Sequence, residues 1–193
     1  DVFLQNLREM GGAGTPSGWC PEGIVLEKMP EGGLEALFQA FPSAFYIQDE
    51  GSMLPARVLA PERGDTVLDL CAAPGGKTTH LATLMENEGS VTACDIYDHK
   101  LALIRDNAAR LGLSIITTER NDGTRFRPEW EGHFDKVLAD VPCSGLGVLR
   151  RRVEARWAKT EEDLSFFPPV QAAILDNAAR YVKPGGYLVY STC

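Results

Sequence analysis

The sequence lacks the features that identify several common classes of protein. It has no run of about 18 apolar residues that could cross a membrane. Residues 1–8 have neither the basic flank nor the apolar stretch of a signal peptide. No internal repeat or low-complexity tract is present. We therefore expect a cytoplasmic protein without a membrane partner, whose 193 residues, 44% of them hydrophobic, form one medium-sized globular domain with a small appendage.

Cysteine and histidine patterns that define other classes are also missing. The five cysteines include no C-x-x-C pair, and the three histidines have no spacing that would complete a zinc site. We expect neither a disulfide framework nor a bound metal. The thiols are expected to be reduced, which leaves one or two of them available for chemistry.

The net charge of −8 argues against a general affinity for nucleic acid. The segment Arg150–Lys159, however, carries a local charge of +4, so the remainder carries −12. A basic stripe interleaved with an aromatic residue, here Trp157, is typical of a nucleic-acid surface on an acidic protein. The same pattern also occurs on a solvated helix face, so it does not decide between the two.

The pattern of residues changes along the chain. Residues 1–43 are rich in glycine and proline and weakly periodic, which predicts the end of a preceding subdomain or a connector. A helix is expected over Gln48–Leu59 and a turn over Ala60–Gly64. Short apolar runs then predict strands over Thr66–Cys71, Val91–Cys94, Ile115–Glu119, Lys136–Ala139 and Tyr187–Tyr190. Helices are expected between them over Thr78–Glu86, Lys100–Leu111 and part of Glu161–Val182.

The alternation of strands and helices predicts an α/β fold. Repeated βα units give a parallel sheet with helices on both faces and right-handed crossovers. Pro168 and Pro169 are not expected inside a helix, so the main part of the last helix is predicted to start there. Pro184-Gly185-Gly186 is expected to stop that helix before the last strand. In such sheets, ligands bind at the carboxyl ends of the strands.

The loop after the first predicted strand reads CAAPGGKTTH and ends in Gly-Lys-Thr. A phosphate-binding P-loop needs a glycine six positions before the lysine, and that position holds Cys71. A G-x-G-x-x-G fingerprint is absent too, although Gly75-Gly76 allows close approach of a ligand to a helix N-terminus. Asp95 follows Gly75 by 20 residues, where an acidic residue binds ribose hydroxyls. This spacing fits NAD, a nucleoside or S-adenosylmethionine.

An ATPase is the competing interpretation, because Lys136–Asp140 resembles the strand that carries the magnesium-binding aspartate of Walker-type enzymes. The residue at Cys71 and the following Pro142-Cys143 argue against it.

Two cysteines follow neighbouring predicted strands. Pro142 biases Val141 towards an extended conformation, so Asp140 and Cys143 are expected to project from the sheet edge. Cys193 ends the adjacent strand. Two thiols would then face one cleft, where a thiolate can act as a nucleophile, although a buried, inert cysteine is the common alternative.

Four segments together resemble a known family. They are FYIQDEGS at Phe45–Ser52, DLCAAPGGKT at Asp69–Thr78, DVPCSGLGVLRR at Asp140–Arg151, and the final STC. These segments are similar to the signature motifs of the Sun-type (Nol/Nop/Sun) RNA (cytosine-5) methyltransferases, most of all to bacterial members that modify small-subunit ribosomal RNA. The resemblance covers residues 44–193. It implies a Rossmann-like class I S-adenosylmethionine-dependent methyltransferase fold, truncated at its C-terminus and lacking its last two strands.

The resemblance also implies roles for individual residues. Cys193 would attack the cytosine ring, Cys143 would assist product release, Asp140 would hydrogen-bond the cytosine and Lys77 would supply positive potential. S-adenosylmethionine would be bound by Cys71, Ala72, Ala73, Pro74, Gly75, Gly76, Lys77, Asp95, Asp122 and Asp140. RNA, with ribosomal RNA expected, would be contacted by Arg150, Arg151, Arg152, Arg156 and Trp157.

Two alternatives remain at this point. DNA cytosine-5 methyltransferases use the cysteine of a Pro-Cys motif, which would make Cys143 the nucleophile. A catalytically silent RNA-binding fragment is the other alternative, because the expected fold would be incomplete. The sequence does not indicate the oligomeric state, the RNA or the target cytosine.

Overall fold

A computed structural model describes residues 2–145 and 161–192. For residues 161–164 it describes the backbone only. The helices are α1 (Val2–Glu9), α2 (Gly33–Ala40), α3 (Glu50–Leu59), α4 (Gly76–Leu84), α5 (Asp98–Leu111) and α6 (Glu161–Tyr181), with a 3-10 turn at Pro128–Trp130. The strands are β1 (Ala13–Pro16), β2 (Ile24–Lys28), β3 (Thr66–Asp69), β4 (Ser90–Asp95), β5 (Ile116–Arg120), β6 (Phe134–Asp140) and β7 (Val182–Ser191).

The main sheet has five parallel strands in the order β5-β4-β3-β6-β7. The chain moves outward from β3 to β5 and then returns to place β6 beside β3. This reversal creates a switch point between β3 and β6, where a crevice for a ligand is expected. The predicted parallel α/β sheet is confirmed.

Helices cover both faces of this sheet, as expected. Successive strand residues point to opposite faces, and Val67 and Leu68 accordingly belong to different buried clusters. The cluster around Leu68 includes Tyr181 of α6. The cluster around Val67 includes residues of α3 and α4, and α5 packs on Ala93 of β4. Both sides of β3 are therefore buried, which explains why its adjacent residues Val67 and Leu68 are both apolar.

The predicted start of the last helix is wrong. Helix α6 is continuous over Glu161–Tyr181 and contains Pro168 and Pro169. Proline removes a helical hydrogen bond to the carbonyl group one turn earlier. Both prolines are exposed, so water can reach this side of the helix and satisfy those carbonyl groups.

The Pro-Gly-Gly segment does not separate α6 from β7 as expected. The helix ends at Tyr181, and Val182 already pairs with Phe134 of β6. Pairing resumes at Tyr187 opposite Lys136, after a register irregularity. Gly185 has a φ of +85° there, which favours glycine.

Residues 2–40 are more regular than their composition indicates. They form α1, an antiparallel pair of strands β1 and β2, and α2. Leu7 of α1 is fully buried, and a Cβ at Gly12 would lie 2.6 Å from its Cδ1 atom. In the described ranges, no helix has the length and apolar character needed to span a membrane.

Candidate functional site

A cleft of about 990 Å³ opens at the carboxyl ends of the parallel strands. One wall comes from α3 and the opposite wall from the N-terminal half of α6. Its floor contains residues that follow β3, β4, β5, β6 and β7. Among the predicted site residues, the cleft is lined by Cys71, Ala73, Lys77, Asp95, Asp122, Asp140 and Cys143.

The glycine pair shapes the loop between β3 and α4. Gly75 has a φ of +107°, and a Cβ there would lie 3.2 Å from the Cα of Ile104. A Cβ at Gly76 would lie 2.6 Å from Oε1 of Gln48, so the upstream motif packs directly on the loop. The backbone conformation at Gly75 therefore favours glycine, and a side chain at Gly76 would displace Gln48.

Two carboxylates lie at the ends of neighbouring strands β4 and β5. Asp95 is 8% exposed, and its Oδ1 accepts a hydrogen bond of 3.0 Å from the N–H of Tyr97. Asp122 accepts hydrogen bonds from both the N–H and the hydroxyl of Thr124, at 3.1 and 2.7 Å. These bonds fix both carboxylates at the cleft, where each retains lone pairs for ligand hydroxyl or amino groups.

An ion pair and a hydrogen bond link three side chains of β6, β7 and α4. The ammonium group of Lys77 lies 2.7 Å from Oδ2 of Asp140, and the hydroxyl of Ser191 donates a 2.6 Å hydrogen bond to Oδ1. Lys77 is 19% exposed and Asp140 is 30% exposed. Asp140 is therefore held in one orientation at the cleft, partly shielded from water.

Asp69 is a fully buried carboxylate beneath this group. Its Oδ2 accepts a 2.7 Å hydrogen bond from Thr78, and its Oδ1 has no partner among the described residues. Burial raises the pKa of Asp69 to about 7; Asp140 acts in the same direction, while Thr78 and Lys77 oppose the shift. Asp69 therefore titrates near neutral pH.

Three cysteines in or near the cleft differ in their chemical state. Burial, with the nearby carboxylates of Asp69 and Asp95, raises the pKa of Cys71 to about 12, so it remains a thiol at neutral pH. Burial also raises the pKa of Cys94. These two cysteines are free thiols. Cys143 is partly buried and takes part in a disulfide, so the expectation of reduced thiols throughout is wrong at this position.

Six of the predicted site residues lie outside the part of the chain that the structure describes. They are Cys193, Arg150, Arg151, Arg152, Arg156 and Trp157. Ala72, Pro74, Gly75 and Gly76 belong to the loop that shapes the cleft. Across residues 2–145 and 161–192, no group of three or more His, Cys, Asp or Glu side chains is arranged to hold a metal ion.

The structure adds residues that the motifs did not identify. Asn121 is 8% exposed, lines the cleft, and its Nδ2 has no partner in the described part of the chain. Phe166 is 63% exposed and lines the cleft together with Phe167. Asn121 immediately precedes Asp122, and its position after a strand was the available signal. The two phenylalanines had no such signal, because α6 was expected to start after them.

Comparison with known proteins identifies relatives of the chain. A family model described as 16S rRNA methyltransferase RsmB/F matches residues 56–193. A probable ribosomal RNA small subunit methyltransferase B of Bacillus subtilis is 50% identical over 148 residues, which is 76% of this chain and 33% of the relative. The chain thus spans about a third of that protein's length.

Solved structures show the same fold. A methyltransferase homologue from Pyrococcus horikoshii superposes with a TM-score of 0.86 at 33% identity, covering 100% of this chain and 60% of the other. NSun6 from the same organism, solved with SFG, gives a TM-score of 0.73 at 34% identity, covering 89% of this chain and 44% of the other. The sheet order, the cleft and the matched residues agree in one conclusion: the chain has a Rossmann-like methyltransferase fold and belongs to the 16S rRNA methyltransferase RsmB/F family.

Proposed function

We propose that the protein transfers a methyl group from S-adenosylmethionine to C5 of a cytosine in small-subunit ribosomal RNA. The observation that supports this most strongly is the position of Asp140. It is fixed by Lys77 and Ser191 in the same cleft as Asp95 and Cys143. A nucleoside-binding carboxylate and a group suited to the edge of a base therefore face one space.

The cleft residues fit the methyl donor. Asp95 would accept hydrogen bonds from ribose hydroxyls. The buried Nδ2 of Asn121, which has no partner among the described residues, can donate a hydrogen bond to a ligand at the same strand ends. Ala73 of the glycine loop and Lys77 at the start of α4 line the same cleft. SFG, with which the NSun6 structure was solved, is an analogue of S-adenosylmethionine. When bound, S-adenosylmethionine supplies an electrophilic methyl group.

Cytosine C5 needs activation before it can accept that methyl group. In the proposed reaction, the thiolate of Cys193 forms a bond to C6, and the electron pair of the C5–C6 double bond makes C5 nucleophilic. C5 then takes the methyl group, and the donor leaves as a neutral thioether. Loss of the C5 proton to a base and expulsion of the thiolate restore the double bond, with Cys143 assisting release.

Asp140 would hydrogen-bond the N4 amino group and N3 of the cytosine. A proton taken up from water at N3 as the Cys193 thiolate attacks would neutralise the charge that develops on the ring, and the carboxylate would hold that N3–H. Its ion pair with Lys77 keeps the carboxylate from turning away. The carboxylate already has this orientation before the base binds, so no free energy is spent on turning it during the reaction.

The alternative assignment makes Cys143 the nucleophile. Its support is that Cys143 directly follows the Pro142 of the β6 loop and lines the cleft. The proposed assignment instead rests on the motif that ends in Cys193. A silent RNA-binding protein is the other alternative and predicts no methyl transfer.

The test is methyl transfer by the full-length protein under reducing conditions. Labelled S-adenosylmethionine and unmethylated small-subunit ribosomal RNA should give label at C5 of cytosine, identified by nucleoside mass spectrometry. Asp140→Asn should lower the rate at least about a hundredfold. Asp106→Asn, an exposed carboxylate on α5, is the matched control and should not change it. Absence of label with the parent protein, or label at another position, would refute the proposal.

A further inference from the structure

The loops after β6 and β7 carry Cys143 and Cys193. In the proposed reaction both act as thiols once the disulfide of Cys143 is reduced, so the separation of the two loops must be fixed. At the strand ends, the N–H of Val141 donates to the carbonyl of Ser191 at 2.9 Å, and the hydroxyl of Ser191 bonds to Asp140. The residue after Val141 is Pro142, which has no N–H group. The sheet therefore cannot use that residue as a donor where the thiol-bearing loops begin.

A side chain from α6 spans this point. Nε2 of Gln171 donates a 2.8 Å hydrogen bond to the carbonyl of Pro142 and lies 3.5 Å from the hydroxyl oxygen of Thr192. Pro142 immediately precedes Cys143, and Thr192 immediately precedes Cys193. One amide group thus contacts the residue before each thiol.

The helix that carries Gln171 is firmly attached to the sheet. Ile174, Ala178 and Tyr181 follow Gln171 at helical spacing and are all at most 3% exposed. From the same helix, the amide of Asn177 donates a 2.8 Å hydrogen bond to the carbonyl of Gly123. The backbone position of Gln171 is therefore set by a packed helix, independently of the two loops that its amide contacts.

We infer that Gln171 is a positioning residue, which holds the loops of Cys143 and Cys193 at the separation that lets both thiols act on one cytosine. This inference rests on the proposed function. Gln171 acts through Pro142 and Thr192, and has no role in binding the methyl donor. A small displacement of reacting groups is sufficient to cost about a hundredfold in rate.

The test uses Gln171→Leu, which removes the amide donor and keeps an aliphatic side chain. The control is Asp176→Ala, at an exposed position on the same helix. The full-length protein is assayed with reductant. For Gln171→Leu we expect kcat to fall at least about tenfold. The KM for RNA, the Kd for S-adenosylmethionine and the Tm should stay near the parent values. The control should match the parent throughout.

Hydrogen exchange of residues 141–145 and 189–192 gives a second readout that needs no activity. Exchange should become faster in both segments of Gln171→Leu and in neither segment of the control. If the parent protein shows no methyl transfer, the proposed function fails, and exchange alone decides the role of Gln171.

Three results would overturn the inference: unchanged exchange, unchanged kcat in an active protein, or a parallel loss of Tm and donor binding. The last would mean that Gln171 supports the domain in general.

Discussion

At the scale of single residues, charge pairing in the cleft is the main finding that motifs could not supply. The sequence identified Lys77 and Asp140 through their segments. It did not indicate that they form an ion pair, because they are 63 positions apart in the chain. The sequence also did not indicate which carboxylates are exposed and which are buried. Asp69 belongs to the same motif as Lys77, yet it is fully buried, and its Oδ1 has no partner in the described part of the chain.

Asp69 makes stability depend on pH. Its pKa is raised from 3.8 to about 7 in the folded protein, so its stabilising contribution is complete below pH 3.8 and is lost as the pH rises through 7. Asp69→Asn imitates the neutral form and should remove this loss. Thermal unfolding of both proteins gives the Tm of the variant minus the Tm of the parent. This difference should be at least about 3 °C larger at pH 8 than at pH 5. An equal difference at both pH values would contradict the assignment.

At the scale of elements, the pattern of the chain predicted each strand of the main sheet and the parallel direction of the strands. Boundaries were harder to predict where side chains from distant segments decide them. The positions of Pro168 and Pro169 indicated a helix start, but α6 runs through both because their surroundings are exposed. The glycine loop was recognised correctly, yet its packing against Gln48 and Ile104 depends on contacts that no local pattern contains.

The loop before α4 can be tested by substitution at a single glycine. Gly75→Ala places a Cβ in a left-handed conformation and 3.2 Å from the Cα of Ile104. Gly64→Ala, also at positive φ but with nothing within 4 Å, isolates the backbone cost of about 1–2 kcal/mol. Both variants should lower the Tm, and Gly75→Ala alone should weaken S-adenosylmethionine binding in calorimetry. Equal binding by the two variants would show that this loop does not contact the donor.

At the scale of the whole molecule, residues 13–28 are attached to the methyltransferase domain through a polar contact. Nε2 of His80, on α4, lies 2.5 Å from Oε1 of Glu22, and Arg57 lies 3.7 Å from the other oxygen. His80 is 7% exposed. Glycine and proline content predicted the end of a preceding subdomain or a connector here. It could not indicate this contact, because Glu22 and His80 are 58 positions apart. Contacts of this range are what sequence patterns do not contain.

The attachment predicts a specific loss of stability. Glu22→Ala leaves the buried ring of His80 without its acceptor, a cost of about 1–3 kcal/mol. The Tm should fall by about 2–8 °C, and proteolysis should become faster within residues 13–28. Lys28→Ala, on the exposed strand β2, is the control and should change neither. If both variants behave alike, the contact with His80 does not hold this segment.

The central claim is that Cys193 attacks the cytosine while Cys143 assists release. The most direct measurement is the protein–RNA adduct formed by Cys193→Ala and by Cys143→Ala in the full-length protein, with S-adenosylmethionine and reductant, on a denaturing gel. We expect a persistent adduct with Cys143→Ala and none with Cys193→Ala. An adduct with Cys193→Ala and none with Cys143→Ala would contradict it and make Cys143 the nucleophile.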